Sequence, residues 1–326
     1  MSRPAPARAG RWFLAPCLIR FACAGSAWAD GLYAVGLRQT HTIASKETPA
    51  VPLAIWYPAA GPQIDAAPAP GPFPVILLSH GSGGSEFGHA DWASYLAAHG
   101  YIVAAPRHLG DSYDQPDGRG TDVQLIGRVW QAQAALDTVL GDARLRPAIA
   151  TGRIGMLGYS AGGYTTLVMA GARPDFSLWR THCEAHAAED TGLCPPGFWQ
   201  SLPRITRPGW ALPQETRIRA AVVMAPASVF FDQQGLGRIG IPMRLYGARD
   251  DRYVINAWNV DRVAAALVPP AAVHRVPGGH YVFLAPCSSD LLARRPELCT
   301  DAAGVDRVAI HRQMEAELLD FFNANL

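Results

Sequence analysis

Lysine is nearly missing from this sequence: Lys46 stands alone among 28 basic side chains, and the rest are arginine. With so much alanine and proline beside it, that bias reads as genomic composition rather than function. An excess of either charge is missing too. Lys plus Arg is 28 against 27 for Asp plus Glu, a formal net charge of +1, which gives no basic field for nucleic acid and no strong attraction to anionic membranes. After the N-terminal segment no stretch stays apolar for the ~20 residues that span a bilayer, so no integral membrane span is expected. No Cys-x-x-Cys pair is present, which removes the commonest sign of a structural zinc site. What is present is a chain of 326 residues, 49% hydrophobic and 17% charged, enough to build a sizeable core and too apolar for wholesale disorder.

The N-terminus carries Arg3, Arg8 and Arg11, an apolar stretch from Trp12 to Trp28 broken by Arg20, and the small-x-small sequence Ala27-Trp28-Ala29. That pattern predicts an export signal over 1–29 and a periplasmic or secreted product over 30–326. Export discards Cys17 and Cys23 and leaves Cys183, Cys194, Cys287 and Cys299. Four cysteines allow three connectivities. Proximity favours Cys183–Cys194 and Cys287–Cys299, each closing a loop of about ten residues.

Short β-rich runs then alternate with helical stretches. Strands are expected at 51–57, 75–78, 101–105, 154–158, 220–224, 243–246 and 272–276. Trp92, Tyr95 and Leu96 sit at helical spacing before Gly100. A longer helix is expected from Asp122 to Leu140, with Leu125, Val129, Ala132, Leu136 and Val139 on one face. Near the C-terminus Ile310, Met314, Leu318 and Phe321 form a stripe that reads as core packing. Strands alternating with helices predict a mostly parallel, doubly wound α/β sheet. Between Arg173 and Arg217 the alternation breaks, in a stretch holding Phe176, Trp179, Phe198, Trp199, Trp210 and the first cysteine pair. An insertion of that length is expected to be a disulfide-stapled cap or lid.

Gly158-Tyr159-Ser160-Ala161-Gly162 fits G-x-S-x-G directly after an apolar strand and before a helical run. A serine on such a turn is held strained with its hydroxyl exposed, and the small flanking residues let strand and helix approach. The hydroxyl needs a base. His280, behind Gly278 and Gly279, is the candidate. His41, His89, His99, His182, His186, His274 and His311 fall where no partner is evident. The imidazole in turn needs a carboxylate. Asp250 and Asp251 both follow the 243–246 strand; counting from Pro242 favours Asp251, counting from Gly247 favours Asp250, and Asp251 is taken. The order Ser, Asp, His is the one expected of a hydrolase built on this sheet. Backbone N–H groups of Ala161 and of Ser82, in the glycine-rich run Ser79-His80-Gly81-Ser82-Gly83-Gly84, are the expected oxyanion donors. The Lys and Ser/Thr of a phosphate loop are missing from that run.

These segments, together with Tyr246-Gly-Ala-Arg-Asp-Asp251 and Gly279-His-Tyr-Val-Phe-Leu-Ala-Pro-Cys287, resemble the α/β-hydrolase superfamily. Within it they are similar to bacterial proteins labelled predicted dienelactone hydrolases, relatives of platelet-activating-factor acetylhydrolases. The resemblance runs from about Pro52 to the C-terminus. It implies a serine carboxylester hydrolase acting on a small-molecule or polymeric ester, with neither metal nor organic cofactor. True dienelactone hydrolases carry a cysteine where this chain has Ser160, so their lactone chemistry is not expected. Where such relatives carry Asp-His this chain has Arg107-His108, and Arg107 suits a substrate carboxylate and loop packing equally. Two rival readings are an amidase or peptidase using the same triad, and a non-catalytic binding module on a hydrolase scaffold. The sequence carries no sign of oligomeric state.

Overall fold

Alternation within each strand sorts residues to two faces, and the computed structural model, which describes residues 32–61 and 65–326, builds both. The export segment expected at 1–29 lies outside the described residues. The strands are β1 (Ala34–His41), β2 (Pro52–Ala59), β3 (Phe73–Ser79), β4 (Ile102–Pro106), β5 (Ile149–Tyr159), β6 (Ala220–Met224), β7 (Met243–Ala248) and β8 (Val273–Val276). They form one eight-stranded sheet in the order β1-β2-β4-β3-β5-β6-β7-β8. β2 runs antiparallel to β1 and to β4, and every other pairing is parallel.

Every residue of β3, β4 and β6 is buried, as strands covered on both faces must be. Leu53, Ile55, Val75, Leu77, Met156 and Val223 point to one face, and Ala54, Trp56, Ile76, Leu78, Leu157 and Val222 to the other, the period of two expected of a pleated strand. Helix α1 (Ala90–Ala98) lies on the second face. Helices α2 (Arg128–Gly141) and α3 (Ala161–Met169) cover the first. Further along come α4 (Ser177–His186), α5 (Gln233–Leu236), α6 (Val260–Ala266), α7 (Ser289–Arg294), α8 (Pro296–Cys299) and α9 (Arg307–Asn325). α6 joins the first face and α9 the second, where Ile310, Met314, Leu318 and Phe322 are buried. Phe322 is the buried member of the stripe, and the expected Phe321 is half-buried against the same cluster.

Two elements depart from expectation. β1 is an edge strand whose polar residues Arg38, Gln39 and Thr40 blunt its pattern; its register on β2 runs from Ala34↔Ala59 to His41↔Pro52. The helix expected from Asp122 begins instead as a π-helical turn over 123–127 before α2. The Asp122 carboxylate accepts from the Thr206 and Arg207 N–H groups and from the Thr206 hydroxyl, so it ties down the insertion instead of capping the helix.

Residues 173–217 hold α4, a single 3-10 turn and irregular chain. Disulfides join Cys183 to Cys194 and Cys287 to Cys299. Of the insertion's aromatic side chains Trp179 is buried, its Nε1–H bonded to Leu193 O at 2.8 Å and its ring 5.3 Å from Phe230, while Phe176, Phe198 and Trp199 are half-buried against the same core. Among the described residues no helix is long and apolar enough to cross a membrane.

Candidate active site

The turn from β5 into α3 is possible only with glycine on both sides of Ser160. A Cβ on Gly158 would lie 2.1 Å from Gly162 O, and one on Gly162 would lie 1.9 Å from Ser79 O. Ser160 itself takes φ 55° and ψ −118°, a strained conformation for a residue with a side chain. It is held there by its N–H to Met224 O at 2.9 Å and by two N–H groups, of Tyr164 and Ala227, that donate to its carbonyl.

From β8 the chain passes through Gly278, at φ 102°, into a single 3-10 turn over 280–283. There the His280 imidazole meets Ser160: Nε2 lies 3.0 Å from Ser160 Oγ and Nδ1 lies 2.8 Å from Asp251 Oδ2. A carboxylate can only accept, so Nδ1 carries the proton and Nε2 is left to accept from the hydroxyl. The other Asp251 oxygen accepts from the Tyr253 and Val254 N–H groups at 2.9 and 2.8 Å. Asp251 is buried, while Asp250 is exposed and, among the described residues, makes no ion pair with Arg249 or Arg252. Half-exposed Tyr253 stacks on the imidazole at 5.2 Å and 26°. Tyr159 lies 4.9 Å away and donates its hydroxyl to His280 O.

Ser82 sits in the loop that leaves β3 beside the serine; a Cβ on Gly81 would come 3.3 Å from Ser160 Cβ. Neither the Ser82 nor the Ala161 N–H finds an acceptor among the described residues, whereas Gly83 N donates to Asp111 O at 3.0 Å. Beneath the loop lies a fully buried ion pair, Arg128 with Asp111, at 2.7 Å. His80 Nδ1 donates to Gly81 O, and its Nε2 accepts from His108 N–H at 3.0 Å. His108 Nε2 meets Ser79 Oγ at 2.8 Å. Burial, with Arg128 nearby, pushes both histidines well below the usual imidazole range, which keeps them neutral and able to accept. Arg107 is occupied by Glu86 at 3.4 Å and Asp114 at 2.8 Å, which favours loop packing over a substrate carboxylate.

Sequence reading passed over Asp111, Arg128 and Tyr253. One signal was there for Arg128: it lies three residues from Leu125 and four from Ala132, on the face otherwise apolar. Several histidines for which the sequence shows no partner have one in the fold. His311 pairs with Asp91 and donates from Nε2 to Val282 O at 2.9 Å. Trp92 is stacked between His311 and His89, at 4.6 and 5.1 Å. His182 bonds Asp190 at 2.8 Å and, with Cys194, forms a cluster of metal-ligand types; His186 stands four residues on along α4. The sulfur of Cys194 is spent on Cys183, so the donor set does not suit an ion.

A cavity of about 380 Å³ opens on His280, lined also by Asp250, Arg252, Tyr281 and residues 300–302. A larger one, about 460 Å³, is lined by Gly110, Asp117, Thr121, Arg204 and Thr206 and includes none of Ser160, Asp251 or His280. Chemistry rather than volume locates the candidate site.

A serine at a strained strand-to-helix turn, on a mostly parallel eight-stranded sheet wrapped on both faces, is the α/β-hydrolase fold. Over residues 23–179 the chain matches the chlorophyllase family. It is 35% identical over 103 residues to cutinase est1 of Thermobifida alba, 31% of each chain. It is 32% identical over 103 residues to cutinase 2 of Thermobifida cellulosilytica, covering 31% of this chain and 36% of that one. To a bis(hydroxyethyl) terephthalate hydrolase of Streptomyces coelicolor it is 34% identical over 104 residues, 32% and 30% of the two chains. The match thus spans about a third of the length of these curated relatives.

Proposed function

We propose that this protein is an exported serine hydrolase that cleaves carboxylic esters. The observation that carries the reading is one imidazole bridging Ser160 Oγ and Asp251. Ser160 attacks the ester carbonyl while His280 Nε2 takes its proton; Asp251 fixes the ring's tautomer and stabilises its cationic form. The N–H groups of Ser82 and Ala161 receive the oxyanion, and loss of one such donor costs on the order of 100-fold or more in turnover. His280 then protonates the leaving alcohol, and water cleaves the acyl-enzyme by the reverse route. The relatives' names, cutinase and bis(hydroxyethyl) terephthalate hydrolase, favour an ester over an amide. Two disulfides fit the oxidising compartment to which the 1–29 segment would lead. The 173–217 insertion acts as a stapled cap, reaching the site by packing Gly192 against the Tyr253 backbone. Tyr253 and Tyr281, beside His280, are the rings offered to an acyl or aryl group.

The test is hydrolysis of p-nitrophenyl acetate and butyrate, with a matched anilide, by wild type and Ser160→Ala. Ester cleavage is expected to fall by about 1,000-fold or more in the variant, with loss of labelling by a fluorophosphonate probe. Equal rates would overturn the reading.

A further inference from the structure

Two donors on different elements must be held a fixed distance apart if they are to share one oxyanion. We propose that Arg128 and Asp111 are positioning residues for this reaction: their buried pair joins the loop that carries Ser82 to the helix that carries Ala161. The inference rests on the esterase reading above.

Arg128 reaches both elements at once. Its NH2 group donates to His80 O and, at 3.3 Å, to Ser79 Oγ, at the root of the loop. Its Nε donates at 3.2 Å to Thr165 Oγ1, and that hydroxyl donates at 3.0 Å to Ala161 O, at the first residue of α3. The remaining NH1 group binds Asp111 Oδ2 at 2.7 Å. Asp111 completes the frame from the other side. Its carboxylate accepts from the Ser82 hydroxyl and from Gln124 Nε2 at 2.8 Å, and its backbone carbonyl accepts from Gly83 N at 3.0 Å. Ser82 is thereby fixed through its side chain and through its neighbour's amide, while its own N–H is left over. Burying two full charges gains little stability over a packed apolar pair; what this pair supplies is one arrangement of a glycine-rich loop that would otherwise have many.

The experiment uses the full chain and three variants, Arg128→Lys, Asp111→Asn and Ser82→Ala, each checked for folding by thermal melt. Ser82→Ala removes the hydroxyl of a residue at the surface and keeps the backbone N–H, so it tests the frame even where a core variant does not fold. Two readouts are taken: kcat and KM on p-nitrophenyl butyrate, and Ki for an alkyl trifluoromethyl ketone. In that adduct Ser160 Oγ bonds to the carbonyl carbon, its proton passes to His280, and the carbonyl electron pair becomes an oxyanion. In folded variants kcat is expected to fall about 10- to 100-fold with KM within about twofold, and Ki to rise by the factor that kcat/KM loses. Folded variants with wild-type kcat, or a loss of kcat with Ki unmoved, would overturn the positioning role. A wild-type protein that neither cleaves the ester nor binds the ketone would instead remove the esterase reading, and the positioning role with it.

Discussion

Asp250 and Asp251 are neighbours in the chain and opposites in surroundings. One carboxylate is exposed; the other is buried between an imidazole and two backbone N–H groups. Asp251→Asn should therefore lower kcat by about 10⁴-fold, because an amide can present its NH2 to the ring and favour the wrong tautomer. Asp250→Asn should leave kcat within about twofold, since an exposed charge contributes little; steady-state assays of both variants decide it. At this scale the sequence was informative wherever a rule of local geometry applied. Gly158 and Gly162 mark the turn because nothing larger fits, and Gly278 and Gly279 mark the approach of His280. It was silent on Asp111 and on its pairing with Arg128, 17 positions away, since no local rule pairs residues that meet only once the chain has folded. Counting along the loop barely separates the two aspartates, because it does not say which side chain turns inward.

Elements were legible in proportion to their burial. β3, β4 and β6 are buried along their whole length and read as unbroken apolar runs, whereas β1, at the edge, has half-wet residues and left no comparable trace. The π-helical start before α2 was invisible because it depends on Asp122 being drawn to the insertion. That insertion is tied by few elements of its own, so its staple matters. Cys183 and Cys194 lie 11 positions apart, and closing a loop of that size restricts the unfolded chain enough to contribute about 2–3 kcal/mol. Replacing both cysteines with serine should lower stability by about that amount in urea titrations, and the wild type in reductant, which loses the Cys287–Cys299 bridge as well, should fall at least as far. If the insertion acts on the site through Gly192 and Tyr253, the same variant also raises KM for aryl esters more than for acetyl esters.

Across the whole molecule, three buried histidines give the fold a common sensitivity to acid. Burial lowers His89 to about 4 and holds His80 and His108 well below the ordinary value of 6.5. A histidine whose folded pKa is depressed takes up its proton more readily when unfolded, so its contribution is intact above about pH 6.5 and is lost as pH falls toward the folded pKa. For His89 the window is 6.5 to about 4, worth about 3 kcal/mol at 1.36 kcal/mol per unit. Urea midpoints should therefore fall steadily from pH 7 to pH 4.5, and His89→Phe should flatten that slope; a midpoint independent of pH over this range would contradict the assignment.

The bond from His311 Nε2 to Val282 O has a mechanical meaning. Val282 lies in the same short turn as His280, so the last helix is tied directly to the turn that carries the imidazole. Force applied at the C-terminus, by coupling Leu326 to a bead or a resin, meets β5 first, where Arg153 Nε donates to Leu326 O, and travels along α9 to the nucleophile's base. A support grafted to the far edge of the sheet, at β1, would leave that linkage slack.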